Sequence, residues 1–365
     1  MFWNYLKSAL RNLRKNKLFA VINIAGLALG LTIYVFGGLL VKYEQTHDQF
    51  FEKAERIYTI GSIAGEGLDV GISIMGSTFT AVAPIIDAEL SDVEMTARTI
   101  EREFLIKMGA EGFYQRIQFS DPELLQIFDL DYIHGDQSAL EDPSGILIAE
   151  SVAMKYFGST DVVGKVVTMD NEFDFTVSAV YRDVPLNSHF KSRVIFDSSL
   201  DVIASVKALG RMRDYDEAGN WNNLSINNLT YVLLPEHLNG AWLDDQLDSI
   251  YARLVPEEQR ELIAGLFSKP LKNANLAVWD MIGLPAIAAI QLLSLLVLVV
   301  ACVNYTNLAT AQSMGRSREV GMRQTMGASR GQLLAQFLVE SLTIATIAMV
   351  FAVASLEVII PIFNN

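Results

Sequence analysis

NYTNLATAQSMGRSREVGMRQTMGASRG, residues 304–331, is a short basic stretch set between two long apolar runs. Residues 282–303 are apolar except for Gln291 and Ser294, and residues 332–360 are interrupted only by Gln336, Glu340 and Glu357 among otherwise mostly apolar side chains. A helix needs roughly 20 apolar residues to cross the hydrocarbon core, and both runs reach that length. The stretch between them carries Arg316, Arg318, Arg323 and Arg330 against one acid, Glu319. Short loops rich in arginine and lysine stay in the cytoplasm, so residues 304–331 are expected to form a cytoplasmic connection between two spanning helices.

Working outward, residues 18–41 form a third apolar run, preceded by Lys7, Arg11, Arg14, Lys15 and Lys17. A basic segment before an apolar core also describes a secretory signal, but this run is too long and no A-x-A-like site follows it. The positive-inside rule places residues 1–17 in the cytoplasm. Trp3, Leu6, Leu10 and Leu13 recur there at helical spacing with basic residues between them. That pattern fits an amphipathic helix lying on the inner leaflet or a solvated helix end. Within the spanning run, Gly26 and Gly30 make a G-x-x-x-G pair that predicts a close helical neighbour, with Asn23 and Thr32 able to hydrogen-bond to it. Residues 42–280 then lie outside, and the chain leaves the cytoplasm again to end beyond Pro361.

The formal charge of −14 is unevenly spread. Residues 1–41 carry five basic residues and no acid, residues 42–280 carry 19 basic and 39 acidic ones, and residues 281–365 carry four and three. The acidity belongs to the external segment, which makes it a poor partner for nucleic acid or anionic lipid. The single cysteine, Cys302, lies in the second apolar run, so no disulfide is expected in the external segment.

Residues 42–280 alternate helical and strand patterns and read as an α+β domain. Residues 49–55 look helical and polar, 56–60 and 91–99 alternate like strands, and 103–108 and 113–119 make a hairpin around 109–112. A short helix is expected over 122–128 behind an Asp121 cap, and a strand over 144–148. Residues 150–157 make a helix stopped by Gly158. Residues 165–169 and 173–181 make a hairpin around Asp170-Asn171. A strand over 229–234 and a helix over 243–254 follow.

Chemical motifs are scarce. His47, His134, His189 and His237 are scattered, with no H-E-x-x-H or Cys/His cluster, so neither a metal nor a cofactor is expected. No G-x-S-x-G elbow appears. Residues 214–217, DYDE, lack the spacing of a calcium loop, and Asn228-Leu229-Thr230 fits the weak glycosylation triplet. Residues 321–329, GMRQTMGAS, superficially resemble a phosphate loop. Five residues separate the glycines, however, and Ala328 stands where the lysine must be. The chain is therefore not expected to hydrolyse ATP or to act as an enzyme.

Residues 316–326 have a helix-forming composition, with Gly327 as its end and Ala328-Ser329 starting the next helix. Val320, Met322 and Met326 would leave apolar groups facing water or headgroups. Either the segment is a basic connector that only fixes topology, or a protein partner covers them.

GRSREVGMRQTMGASRGQLLAQFLVES resembles the cytoplasmic segment and following helix of MacB/FtsX-type ABC transporter permeases. LRNLRKNKLFAVINIAGLALGLT is similar to that family's first helix, and EQTHDQFFEKAERIYTI to the start of its extracytoplasmic domain. SGILIAESVAMKYFGSTDVVGKVVTMDNEFDFTVSAVYRDVPLNSHFK is similar to the MacB-like periplasmic core. The resemblance implies a bacterial inner-membrane protein, and with the three apolar runs the expected fold is three transmembrane α-helices plus a large α+β extracytoplasmic domain. It implies a mechanotransmission role, coupling ATP hydrolysis by a separate ABC ATPase to export or extraction of peptides, antibiotics or lipoproteins. Arg316, Arg318, Glu319, Val320, Gly321, Met322, Arg323, Met326, Gly327 and Ala328 would form the ATPase-coupling segment. Glu340 matches the family's intramembrane acid; a buried acid in a spanning helix marks function or a paired partner, and the alternative is a carboxyl that water reaches near the interface. Implied partners are the ATPase, the bilayer, a second permease copy or half, and a periplasmic adaptor. The family has a fourth spanning helix after a short external loop, so this chain is expected to be a fragment, a frameshifted product or a half completed by another polypeptide. A membrane-anchored sensor is the rival reading, but such a receptor would carry a signalling domain where the basic hairpin and third span stand.

Overall fold

The computed structural model describes residues 2–68, 73–108, 111–191, 200–212, 215–216, 219–225, 227–276, 279–280, 283–315, 317–326 and 328–364. Two units separate, one made of residues 1–42 and 286–365 and the other of residues 43–285. The chain opens with α1 (Phe2–Lys15) and, after Asn16, α2 (Lys17–Gln45).

Residues 43–285 build β1 (Ile57–Ala64), β2 (Ile74–Met75), α3 (Val82–Glu89), β3 (Met95–Met108), β4 (Glu111–Ser120), α4 (Leu124–Phe128), β5 (Tyr132–His134), β6 (Gly145–Ala149), α5 (Glu150–Phe157), β7 (Val166–Met169), β8 (Phe173–Tyr181), β9 (Val202–Ser205), α6 (Val206–Met212), β10 (Asn228–Leu233), α7 (Gly240–Leu254), α8 (Glu257–Arg260) and β11 (Ile263–Pro270). The strands run β11-β1-β10-β3-β4-β9-β6-β8-β5, with β2 added to β1. Only the β4–β9 and β6–β8 pairings are parallel among the described residues. Short β7 bonds to both β3 and β8, which closes β3, β4, β9, β6, β8 and β7 into a six-stranded ring. The three-residue β7–β8 connection has Asp170 at φ 50° and Asn171 at φ 60°, left-handed conformations that Asp and Asn tolerate better than most side chains.

The ring holds a core that includes Phe104, Ile117, Phe119, Leu147, Met169, Val177 and Ile203. β6 is buried at every position, so it reads as a continuous apolar run rather than an alternating one. A second core lies between β1, β10 and β11 and the helices α3 and α7. Leu243, Leu247 and Ile250 recur on α7 at the spacing of one buried helical stripe. Each such side chain contributes about 1.5–3 kcal/mol by leaving water.

The unit that opens with α1 and α2 is completed by α9 (Ala286–Gly315), α10 (Ser317–Thr325) and α11 (Arg330–Asn364). The helices Lys17–Gln45, Ala286–Gly315 and Arg330–Ile362 are long and apolar enough to cross a membrane.

Several local expectations change. Residues 49–55 are turns ending in a single 3-10 turn at Ala54–Arg56, because Asp48 adopts φ 58° and breaks the helix. Asp121 does not cap α4: its carboxylate accepts from the Arg98 backbone and pairs with the Arg98 guanidinium instead. Residues 95–108 are one strand rather than two. Asn228 is buried in β10 and donates to Asn223, so the glycosylation triplet offers no accessible side chain. The expected linker does not begin at Asn304, since α9 continues to Gly315, and α11 runs past Pro361 to Asn364. Of the acidic run 214–217, positions 214 and 217 lie outside the described residues.

Candidate functional site: the basic hairpin and the helices around it

The hairpin is short because its ends are capped locally. At the start of α11, the Gln332 N–H donates to Ser329 Oγ at 3.3 Å and the Ser329 N–H donates to Gln332 Oε1 at 3.1 Å. This reciprocal capping box satisfies the Ser329 amide and gives the Gln332 amide a second acceptor beside the Ser329 carbonyl. On the other side, the Met326 N–H donates to the Met322 carbonyl and the Ala328 N–H to the Arg323 carbonyl, closing the last turn of α10.

Arg323 fixes how α10 faces its neighbours. Its Nη1 donates to Gln336 Oε1 at 2.9 Å, and Gln336 Nε2 reaches Ser8 Oγ at 3.5 Å. One amide side chain on α11 therefore ties α10 to α1. Val320 is half-buried, while Met322 is 59% exposed and Met326 86% exposed. Gly321 has open space where a Cβ would stand, so its side of α10 is uncovered. Arg318 and Glu319 belong to the backbone of α10; Arg316 and Gly327 lie outside the described residues.

Glu340 is 8% exposed on α11. It lines a recess with Phe19 from α2, Tyr305, Gln312 and Ser313 from α9, and Ser341. Its surroundings combine three hydroxyl-bearing side chains, Tyr305, Ser313 and Ser341, and an amide with aromatic walls, a setting in which a carboxyl can be hydrogen-bonded inside a membrane.

The glycines on α2 have a defined neighbour. A Cβ on Gly30 would sit 2.5 Å from Ala301 Cβ, and one on Gly37 would sit 2.7 Å from Ser294 Cβ. Moving seven residues up α2 moves seven residues down α9, so the two helices pack antiparallel along a seam of small residues. Gly26 is looser, with only the Asn304 amide in contact range at 3.8 Å. Asn23 and Thr32 do not bond across to a neighbour: they donate to Phe19 and Ala28 carbonyls of their own helix. Helices in lipid commonly satisfy hydroxyls this way.

In the external domain the histidines are not all isolated. The buried Asp48 carboxylate accepts from Ser188 Oγ at 2.6 Å and from the His189 N–H, and lies 2.9 Å from His189 Nδ1. On the ring's far side, His189 Nε2 is 2.8 Å from the Tyr231 hydroxyl. Burial alone would raise the Asp48 carboxyl, but the His189 charge and the bonds from His189 and Ser188 outweigh it and hold the group below the usual carboxylate range. Burial pushes the Tyr231 hydroxyl far up. Sequence spacing gave no signal for this cluster, whose members stand some 40 to 140 residues apart.

The described external residues thus offer a tightly bonded interior, and the uncovered apolar groups of the hairpin sit on the basic side of the helices. Residues 20–264 match the model of the MacB-like periplasmic core domain, and residues 292–365 match that of the FtsX-like permease C-terminal region. No curated protein matches the chain. Among solved structures, it is similar to a domain of a protein assigned as a permease from Porphyromonas gingivalis, at 23% identity over 60% of this chain and 92% of that one, with a TM-score of 0.46. It is also similar to the periplasmic region of MacB from Actinobacillus actinomycetemcomitans, at 12% identity over 62% of this chain and 94% of that one, with a TM-score of 0.44. The extracellular domain of the noncanonic ABC-type transporter YknZ from Gram-positive bacteria matches at 12% identity over 58% of this chain and 99% of that one, with a TM-score of 0.38.

Proposed function

The chain belongs to the MacB/FtsX-type family of ABC transporter permeases, and from that premise we propose that it is a mechanotransmission subunit. Permeases of this family are membrane proteins with an outside domain, are not themselves enzymes, and work with ABC ATPase partners. In this chain the ATPase docks on residues 316–328, and its hydrolysis cycle displaces α10. The displacement passes to α11 and α1 through the Arg323–Gln336–Ser8 contacts and drives the external domain. The work done is export or extraction of a peptide, an antibiotic or a lipoprotein. A second permease copy or half, and a periplasmic adaptor, complete the assembly.

The observation that carries this reading is the exposure of Met322 on the nine-residue α10 and of Met326 in the turn directly after it. Flexible, polarizable methionines suit a protein contact that must shift during a cycle.

The test is co-purification of the membrane-embedded chain with its ABC ATPase. Met326→Glu places a charge on a side chain that is largely exposed, and Glu319→Ala with Arg323→Ala removes one charge of each sign from the segment. Retention of the ATPase should fall at least tenfold in both. Unchanged retention with normal membrane insertion would refute the docking assignment.

A further inference from the structure

Helix α1 does not continue the line of α2. Ser8 touches Gln336, and Phe19 lines a recess with Phe337, Glu340 and Ile344. The helix from Ser8 to Phe19 would cover about 16 Å if straight, while Gln336 to Glu340 covers about 6 Å of α11. So α1 lies across α11 at the level of Gln336 rather than along it. The two helices meet at Asn16, whose side chain donates back to Asn12 and whose backbone keeps the bonds to Asn12 and from Ala20.

That crossing sorts the faces of α1. Ala9 is buried, and Tyr5, Asn12, Leu13 and Asn16 are half-buried beside it. The opposite side carries Trp3, 71% exposed, and Leu10, 44% exposed, seven residues apart on one stripe. Lys7, Arg11, Arg14 and Lys15 are all exposed around that stripe. No acid occurs in residues 1–41 to neutralise them.

We propose that this face of α1 is a binding surface for the headgroups of anionic phospholipids, with Trp3 and Leu10 at the headgroup–acyl boundary. Lipid is the occupant because α2, which enters the membrane, begins two residues after Lys15. The basic groups are therefore held within reach of the headgroup layer. A tryptophan on a stripe flanked by lysine and arginine matches the chemistry of that layer, and cations there are drawn to an anionic leaflet. Because Ser8 and Arg323 share Gln336, a lipid-seated α1 also steadies α10. The inference depends on which side of the membrane α1 faces and not on ATPase docking, so either can fail without the other.

The test uses the full chain in nanodiscs of phosphatidylcholine alone and of phosphatidylcholine with about one-third phosphatidylglycerol. Amide exchange over residues 3–15 should slow about tenfold in the anionic discs and return toward the neutral-disc rate in high salt, as surface electrostatics demands. The quadruple substitution K7Q/R11Q/R14Q/K15Q should abolish the difference. Should that variant insert wrongly, Trp3→Ser keeps every charge and should still weaken protection several-fold. Exchange that ignores lipid charge and salt in the unaltered chain would overturn the proposal. So would protection gained in neutral discs only on adding the ATPase, which would assign the face to protein.

Discussion

Asp48 and His189, 141 residues apart in the chain, meet at 2.9 Å with both side chains buried. Asp48 also pins its own loop, since its N–H donates to the Asn187 carbonyl and the Asn187 amide returns a bond to Thr46. Removing one member of a buried ion pair strands the other, which costs about 3–5 kcal/mol. Asp48→Asn should therefore destabilise the external domain by that amount in urea unfolding followed by tryptophan fluorescence. A loss below about 1 kcal/mol would mean that the pair is replaceable.

The same carboxylate sets an acid limit. Its folded pKa lies below the unfolded value of about 3.9. Its stabilisation is therefore complete above about pH 4 and is lost as pH falls through the lower, folded value. Stability measured from pH 5 downward should decline in the parent chain and decline less steeply in Asp48→Asn. Parallel slopes would show that other carboxylates set the limit.

Tyr231→Phe removes the hydroxyl that meets His189 Nε2 at 2.8 Å while leaving the ring packed against Phe128. An unpaired buried nitrogen costs about 1–3 kcal/mol. The loss should be smaller than that of Asp48→Asn, and the two should be non-additive because they share His189.

Along the α2–α9 seam, Gly30→Leu and Gly37→Leu should each disrupt helix packing by about 1–3 kcal/mol or more, the cost of overpacking, since even a Cβ collides there. Gly38→Leu should be tolerated, because its Cβ would meet nothing within 4 Å. Thermal stability of the chain in detergent separates the three; equal effects would refute the seam.

Ser329→Ala deletes half of the capping box at α11. A lost N-cap costs about 1 kcal/mol, so exchange at the Gln332 amide should quicken about fivefold, as that energy implies. Stability of the external domain should not move. If exchange there is unchanged, the box does not hold the hairpin.

What could be read from the sequence was what neighbours in the chain decide. The α5 helix and its Gly158 stop, with φ 67°, follow from local backbone preference, as do the left-handed Asp170-Asn171 turn and the three apolar helices. Residues 317–325 are helical as their composition suggested. What escaped was decided at a distance. β11 has no clean alternation, because its second half is half-buried throughout. The helix expected over residues 49–55 lost to the anchoring of Asp48 by Ser188 and His189. Nothing near position 323 signals that Arg323 and Ser8 converge on Gln336.

Four residues of β7 join strands that would otherwise end in open rims. A sheet with a rim can be unzipped one bond after another, whereas a hoop must have a whole ladder severed at once. Each of these six strands therefore has a bonded neighbour on both sides within the hoop, and a pull on one of them meets a ladder on either flank instead of a free edge.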